Sequence, residues 1–381
     1  PGRETAALAG GYSHPSGKPE DPVGCFMFNK EVWRHFDYWL FGAVVVLSIF
    51  GIAMIRSAIA GNIDLATIDR SQSMFVALGL VIILIVAMID YRYWASLANL
   101  FYFFGIGFLI IILLIGNIAF GSTRWIVIAG INIQPSELVK IIMIIVLANF
   151  FARNKDRASR LATIIRSFAL TAGMVIWILL QPNLSTSIVI FVIWAAMLWL
   201  SGLPVKYIVI FAVIGLVAFG LLFPFLEEYQ QQRIFNFIFP NPDASYGDNY
   251  NVEQALITIG SGGWFGMGYG HGTQVQLRFL KVRHTDFIFA SMAEEFGFVG
   301  TVLVISVLVF IILRCFRIAR RAADPFGALI AYGFGALLFF QTSVNIGVNL
   351  NVIPVTGLTL PFVSYGGSSL ISLVLGIGMI E

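Results

Sequence analysis

The chain has 381 residues, of which 59% are hydrophobic and 11% charged, with a formal net charge of +3. Soluble domains carry roughly 25% charged residues, so these totals exclude an ordinary water-soluble globule and indicate a polytopic membrane protein. So small a net charge carries no nucleic-acid signature, and two cysteines, Cys25 and Cys315, do not make a disulfide framework.

In chain order, residues 1–28 are rich in Gly, Pro and small polar residues and read as a disordered cytoplasmic tail or an expression remnant. Cys25 has no apolar segment before it, which argues against a lipidation site. Residues 29–381 read as one transmembrane domain, opening with an interfacial lead-in, "NKEVWRHFD". Ten apolar spans follow, at 38–58, 72–90, 96–116, 137–152, 163–181, 183–201, 206–226, 286–313, 326–347 and 364–381. Most approach the ~20 residues that a helix needs to cross ~30 Å of hydrocarbon. The predicted fold is therefore all-α and polytopic, with ten transmembrane helices and a large extracytoplasmic loop, 227–285, between helices 7 and 8.

Lys and Arg set the orientation. Arg153, Lys155, Arg157, Arg160 and Arg166 fall in one connection, and Arg314, Arg317, Arg320 and Arg321 in another. An even spacing of spans puts both on one side, the cytoplasmic one, together with Arg92, Lys206 and both termini. The opposite side receives 59–71, 117–136, the turn at Gln181-Pro182, the 227–285 loop and 348–363, all expected to be irregular. The Gly- and aromatic-rich 227–285 loop is expected to pack on the membrane surface.

Ionisable residues are costly inside a membrane and seldom idle. Glu137 and Lys140 are three residues apart, so they share a helix face, where they either neutralise each other or line a cavity. Ser136 is a candidate cap for that helix. In "RHTDFIFASMAEE" (283–295), Asp286 stands where the long loop enters a span. A carboxylate there, or Thr285, is suited to capping the helix. Asp286 beside apolar Phe287-Ile288-Phe289 is equally suited to act as a general base. Glu294 and Glu295 point in different directions, and a structural hydrogen bond is the commoner explanation for such groups. "NVIPVTGLTLPFVSYGGSS" (351–369) cannot be one helix, because Pro354, Gly357, Pro361, Gly366 and Gly367 interrupt it. Irregular backbone at membrane depth belongs inside protein or along a cavity, and Asn345 and Asn349 precede this stretch one turn apart. No phosphate-binding loop and no metal-spaced His/Cys cluster is present.

Taken together, "GSTRWI…QPSELVK" (121–140), "QPNLSTS" (181–187), "GSGGWFGMGYGHGTQVQLRFLKVRHTDFIFASMAEE" (260–295) and "IPVTGLTLPFVSYGGSS" (353–369) resemble the SEDS family of shape, elongation, division and sporulation proteins. The resemblance spans roughly 38–381, and "HGTQ" at 271–274 is closer to the elongation branch than to the division branch. It implies an inner-membrane peptidoglycan glycosyltransferase that polymerises lipid II at its extracytoplasmic face, working with a class B penicillin-binding protein, a transpeptidase. The family's essential loop aspartate falls on Asp286, the candidate general base for an inverting displacement of undecaprenyl diphosphate. Candidate substrate-binding or cavity-lining residues are Arg124, Glu137, Lys140, Gln274, Arg283, His284, Thr285, Ser364, Tyr365 and Gly366, with Lys140, Arg124 and Arg283 as cations for the diphosphate. The apolar residues beside Asp286 are expected to hold the polyprenyl end of the substrate. No cofactor is required by this reading; a divalent cation such as Mg or Mn is the one left open. Two acidic family positions are lost, with Asn183 in place of Asp and Lys281-Val282 in place of Pro-Glu, and Ser185 replaces a Gly. A lipid II flippase, a non-catalytic scaffold for a transpeptidase, and a transferase acting on another polyprenyl-linked glycan are the rival readings.

Overall fold

The computed structural model describes residues 36–381 apart from 62–64, 66, 116, 120–121, 129–130, 158 and 241–246, and the expected tail lies outside the described residues. Asp37–Glu381 forms one unit. Among the described residues, seven helices are long and apolar enough to cross a membrane: α1 (Tyr38–Ile59), α2 (Ile68–Ala87), α3 (Tyr91–Ile115), α4 (Pro135–Arg153), α5 (Leu161–Leu179), α11 (Ile288–Arg321) and α12 (Pro325–Asn349). Three shorter apolar helices, α6 (Leu184–Leu200), α7 (Val205–Leu222) and α13 (Gly367–Ile380), match the remaining predicted spans. The protein is therefore a multi-pass membrane protein.

Sequence composition sorts these helices radially. In α4, 83% of the most apolar window is buried, against 22% in α3. A helix that is apolar all round belongs at the centre, and α4 packs against α3, α6, α12 and α13. α12 is the second central helix, packed on α4, α6 and α11. Helix starts follow capping chemistry. Asp324 Oδ2 accepts the Phe326 and Gly327 N–H groups (3.1 and 3.2 Å) with Pro325 at the first helical position. Asp37 Oδ1 accepts from Trp39 and Leu40 (both 3.2 Å) at the start of α1.

The connections depart from the expected all-α picture. Three strands, β1 (Asn117–Ala119), β2 (Ser122–Ile128) and β3 (Ile131–Ile133), form an antiparallel sheet in the order β1-β2-β3. The β-branched run "STRWIVI" fits a strand, and pairing satisfies backbone groups that an irregular loop would leave open. The long loop is also ordered by helices: α8 (Glu228–Ile238), α9 (Asp248–Ser261) and the short α10 (Thr273–Gln276). Rather than lying only on a surface, α9 packs against α11.

α11 is longer than the expected 286–313 span, and it breaks at Gly297 (φ 65°, ψ −167°). The break frees backbone groups, and residues 262–268 fill the gap. Met267 and Gly268 N–H donate to the Glu294 and Glu295 carbonyls (both 2.9 Å). Phe298 and Val299 N–H donate back to Gly263 and Trp264 (2.9 and 3.1 Å). So close an approach requires glycine: a Cβ at Gly262 would lie 2.0 Å from the Ala293 oxygen, and one at Gly266 2.2 Å from the Glu295 oxygen. Gly266 also needs its φ of +79°.

At the other end of α11, Arg314 forms a two-point pair with Asp37 (2.6 and 2.8 Å), whose own N–H donates to Glu381 (2.6 Å). Burial alone would raise the Asp37 carboxyl, but Arg314 and the two capping N–H groups outweigh it and hold it below its ordinary value.

Gly266→Ala is expected to lower thermal stability steeply, by more than about 2 kcal/mol, because it adds left-handed backbone strain to a backbone clash. Gly260→Ala, whose Cβ would meet nothing within 4 Å in α9, should be neutral or slightly stabilising. Equal melting shifts in the two variants would contradict this reading of the break. Asp37→Asn should cost about 1–3 kcal/mol at neutral pH. Because the folded carboxyl titrates low, that difference should persist above the ordinary carboxylate range and vanish as pH falls through the folded value. Denaturation from pH 3 to 8 checks it.

Candidate active site

The turn Arg283–Asp286 precedes α11 and exposes four successive carbonyls, each of which receives a donor. Ser291 Oγ donates to Arg283 O (3.2 Å), Tyr365 N to His284 O (3.0 Å) and Ser364 Oγ to Thr285 O (2.8 Å). Asn345 and Asn349 Nδ2 both donate to Asp286 O (3.1 and 2.9 Å). The Asn349 oxygen meanwhile accepts the Ala290 N–H (3.1 Å), one of the unpaired groups in the first turn of α11. This carboxamide therefore ties the carbonyl of Asp286 to the start of the helix behind it. Thr285 does not cap that helix; its hydroxyl donates to Val282 O (3.4 Å). Phe287, Ile288 and Phe289 are buried, at 2%, 0% and 4% exposure, so they anchor the turn in the protein core and are not placed to hold a substrate's polyprenyl chain. Asp286 itself is half-buried.

Beside the aspartate, Arg283 is buried and its guanidinium donates to the carbonyls of Ala58 and Leu280. Its remaining Nη2 is buried with no partner among the described residues. Burial, aided by Arg278, pulls its pKa down. His284 Nδ1 is likewise buried without a partner, and its ring lies 6.1 Å from that of Tyr365. Burial and then Arg283 lower the His284 pKa, which favours a neutral imidazole at pH 7. Burial raises the Tyr365 phenol. Cation, imidazole and carboxylate thus share one turn, beside polar atoms without a partner among the described residues.

A second group of side chains surrounds the irregular 353–369 segment. Lys140 is fully buried and bonds Glu137 at 2.7 Å, so the expected i,i+3 pair forms. One turn earlier, the Gln134 N–H donates to Ser368 Oγ (2.9 Å), and Gln134 Nε2 and Asn183 Nδ2 both donate to Ser136 Oγ (3.1 Å each). Ser136 is thus a junction between motifs rather than a cap. Asn183 caps α6 by accepting Thr186 N (3.3 Å), a task open to Asn or Asp alike. Ser185 Oγ donates to Thr356 O (2.5 Å). Gly366, at the start of α13, donates to Gln72 (3.5 Å). The motifs at 134–140, 181–187 and 283–291 therefore all bond into one neighbourhood through 345–369.

Two candidates are not tied to that neighbourhood by a described contact. Gln274 sits on α10, where its N–H and those of its neighbours are held by buried Glu294: Gln274 N and Val275 N donate at 2.8 and 3.1 Å, and Thr273 Oγ1 at 3.3 Å. Its place is fixed by Glu294 rather than by the 283–286 turn. Arg124 lies on β2, and its side chain is outside the described residues. Where family acids are lost, Lys281 is exposed with its ammonium 5.9 Å from the Tyr250 ring centre, and Val282 contributes its carbonyl to the turn. Among the described residues no three His, Cys, Asp or Glu side chains form a group able to hold a metal ion. Asn345 and Asn349 had no assigned role from sequence, although their four-residue spacing in an apolar helix was the available signal.

The family model described as cell cycle protein, covering FtsW, RodA and SpoVE, matches residues 30–381. The chain is 36% identical over 360 residues to the Escherichia coli peptidoglycan glycosyltransferase MrdB, covering 92% of this chain and 94% of that one. It is 35% identical over 353 residues to the probable peptidoglycan glycosyltransferase FtsW of Hydrogenovibrio crunogenus, covering 90% of each. Among solved structures, a chain of a peptidoglycan synthase complex described as coordinating polymerization and crosslinking superposes with a TM-score of 0.78 at 29% identity, covering 91% of this chain and 97% of that one. Thermus thermophilus RodA superposes with a TM-score of 0.68 at 29% identity, covering 91% and 96%. The chain belongs to the FtsW/RodA/SpoVE family, the SEDS peptidoglycan glycosyltransferases of cell-wall synthesis.

Proposed function

We propose that this glycosyltransferase polymerises lipid II with Asp286 as general base. One observation carries the assignment: all four carbonyls of the turn bearing Asp286 are held from outside it, so the carboxylate stands on backbone that cannot drift. In this mechanism the acceptor GlcNAc 4-hydroxyl attacks C1 of the donor MurNAc. Asp286 takes the hydroxyl proton as the new C–O bond forms. The bond from C1 to the diphosphate oxygen breaks, and undecaprenyl diphosphate leaves with the electron pair. A single displacement converts the α-linked donor into a β-1,4 glycan. Charge growing on the leaving group calls for nearby cations, and Arg283, with an unpartnered buried Nη2 one turn from Asp286, is the candidate the geometry favours. Lys140 is already paired with Glu137, which suits it better to shaping the cavity wall.

Seven long and three shorter apolar helices among the described residues, with the basic clusters at 153–166 and 314–321 at the end away from Asp286, support ten spans. The same pattern supports cytoplasmic termini and an extracytoplasmic site in the inner membrane. A crosslinking transpeptidase, of the class B penicillin-binding type, is the expected partner. The "HGTQ" stretch supports a role in elongation.

Asp286→Asn should reduce glycan polymerisation from lipid II, measured by product length with the transpeptidase partner present, by at least about 100-fold while the variant remains folded. Full polymerisation by the variant would remove Asp286 from the chemistry. Asn349→Ala should lower kcat about 10- to 100-fold with a much smaller change in KM, because it loosens the turn without touching substrate. Asn349→Gln, with its carboxamide displaced by a methylene, should recover little. A proportional loss in KM would instead mark Asn349 as a substrate ligand.

A further inference from the structure

The end of the bundle away from Asp286 contains a cavity of about 720 Å³, bounded by the ends of α4, α6 and α11 and the start of α12. Its walls are apolar and aromatic, including Trp199, Phe316, Leu329 and Tyr332, and its rim carries Lys155 and Arg320. Phe316 and Tyr332 pack with ring centres 5.2 Å apart. Lys155 and Arg320 are exposed, and neither has a hydrogen-bond or ion-pair partner among the described residues. Among the described residues, the one acid in the lining, Asp324, is already engaged: Oδ1 accepts Tyr91 OH (2.5 Å) and Oδ2 the two capping N–H groups. The rim is therefore net positive.

We propose that this cavity binds the headgroup of an anionic phospholipid, with Lys155 and Arg320 on the phosphate and the aromatic wall against the first acyl carbons. Shape and position favour a lipid over a soluble anion. The cavity is far larger than a phosphate, within the range of small-molecule sites of ~300–1,000 Å³. Its side wall includes Trp199 and Leu200, which are 52% and 45% exposed where the apolar helix α6 ends, so it opens toward the bilayer. Tryptophan at an interface with basic side chains reaching to headgroup level is the pattern of a lipid-facing rim. Basic recesses between spans on one membrane face recognise anionic headgroups by these same contacts. The site is separate from the reaction and does not depend on the role of Asp286.

The test is native mass spectrometry of the full chain in neutral detergent, titrated with phosphatidylglycerol, phosphatidylcholine or inorganic phosphate. Phosphatidylglycerol should remain bound where phosphatidylcholine does not. The Lys155→Gln/Arg320→Gln pair should weaken it more than tenfold, since each charge is worth about fivefold at such a surface. Arg157→Gln/Arg317→Gln, two exposed basic residues outside the cavity, should change it less than twofold. Equal losses in both pairs would mean diffuse surface charge and overturn the proposal. So would equal retention of phosphatidylcholine, or displacement of the lipid by millimolar phosphate. An unchanged melting temperature shows that the variants are folded; if the pair unfolds, each single substitution carries the same comparison at about fivefold.

Discussion

The turn that carries Asp286 exists because a backbone carbonyl buried beside a bundle must find a donor. Residues 283–286 are not helical, and in a water-poor setting each unpaired carbonyl would be costly. The protein supplies donors from Ser291, Tyr365, Ser364, Asn345 and Asn349. The same bonds that make the irregular turn tolerable also immobilise the aspartate it carries. Stability and rigidity are here one set of contacts, so the polar side chains at the end of α12 belong to the candidate site together with the carboxylate.

A second constraint works on the scale of whole elements. α11 is broken at Gly297 and knitted to residues 262–268 by four backbone hydrogen bonds. This joins the long loop to the helix that follows Asp286. The buried carboxylate of Glu294 then holds α10. The loop is thus a packed extension of the bundle, and Gly262 and Gly266 are there because two backbones meet with no room for a Cβ.

The departures from the family pattern become intelligible in this frame. Asn183 caps α6 and bonds Ser136, work that needs an oxygen acceptor and an amide donor but no negative charge. Ser185 adds a bond to Thr356, fastening the 181–187 motif to the irregular segment. Neither position supplies a carboxylate.

Much was legible in the sequence because it depends on local composition and spacing. Apolar runs of helical length located the ten hydrophobic helices, and Glu137 and Lys140 at a three-residue spacing predicted their pair. Asp286 stood out as an acid followed by Phe-Ile-Phe at the mouth of a span. Other features depended on distant partners and were closed to it. The spacing of Asn345 and Asn349 shows that they share a face, but not that the face meets the carbonyl of a residue 59 positions earlier. The apolar triplet after Asp286 fitted a lipid contact as well as a core anchor until burial decided for the core. Gly297 reads as one more glycine in an apolar helix, because its meaning lies in the loop that fills its break. Sequence determined which segments are helical and which residues are chemically unusual, since period and polarity are local. Only the tertiary structure decided which of them meet, because a backbone hydrogen bond between distant segments leaves no local signature.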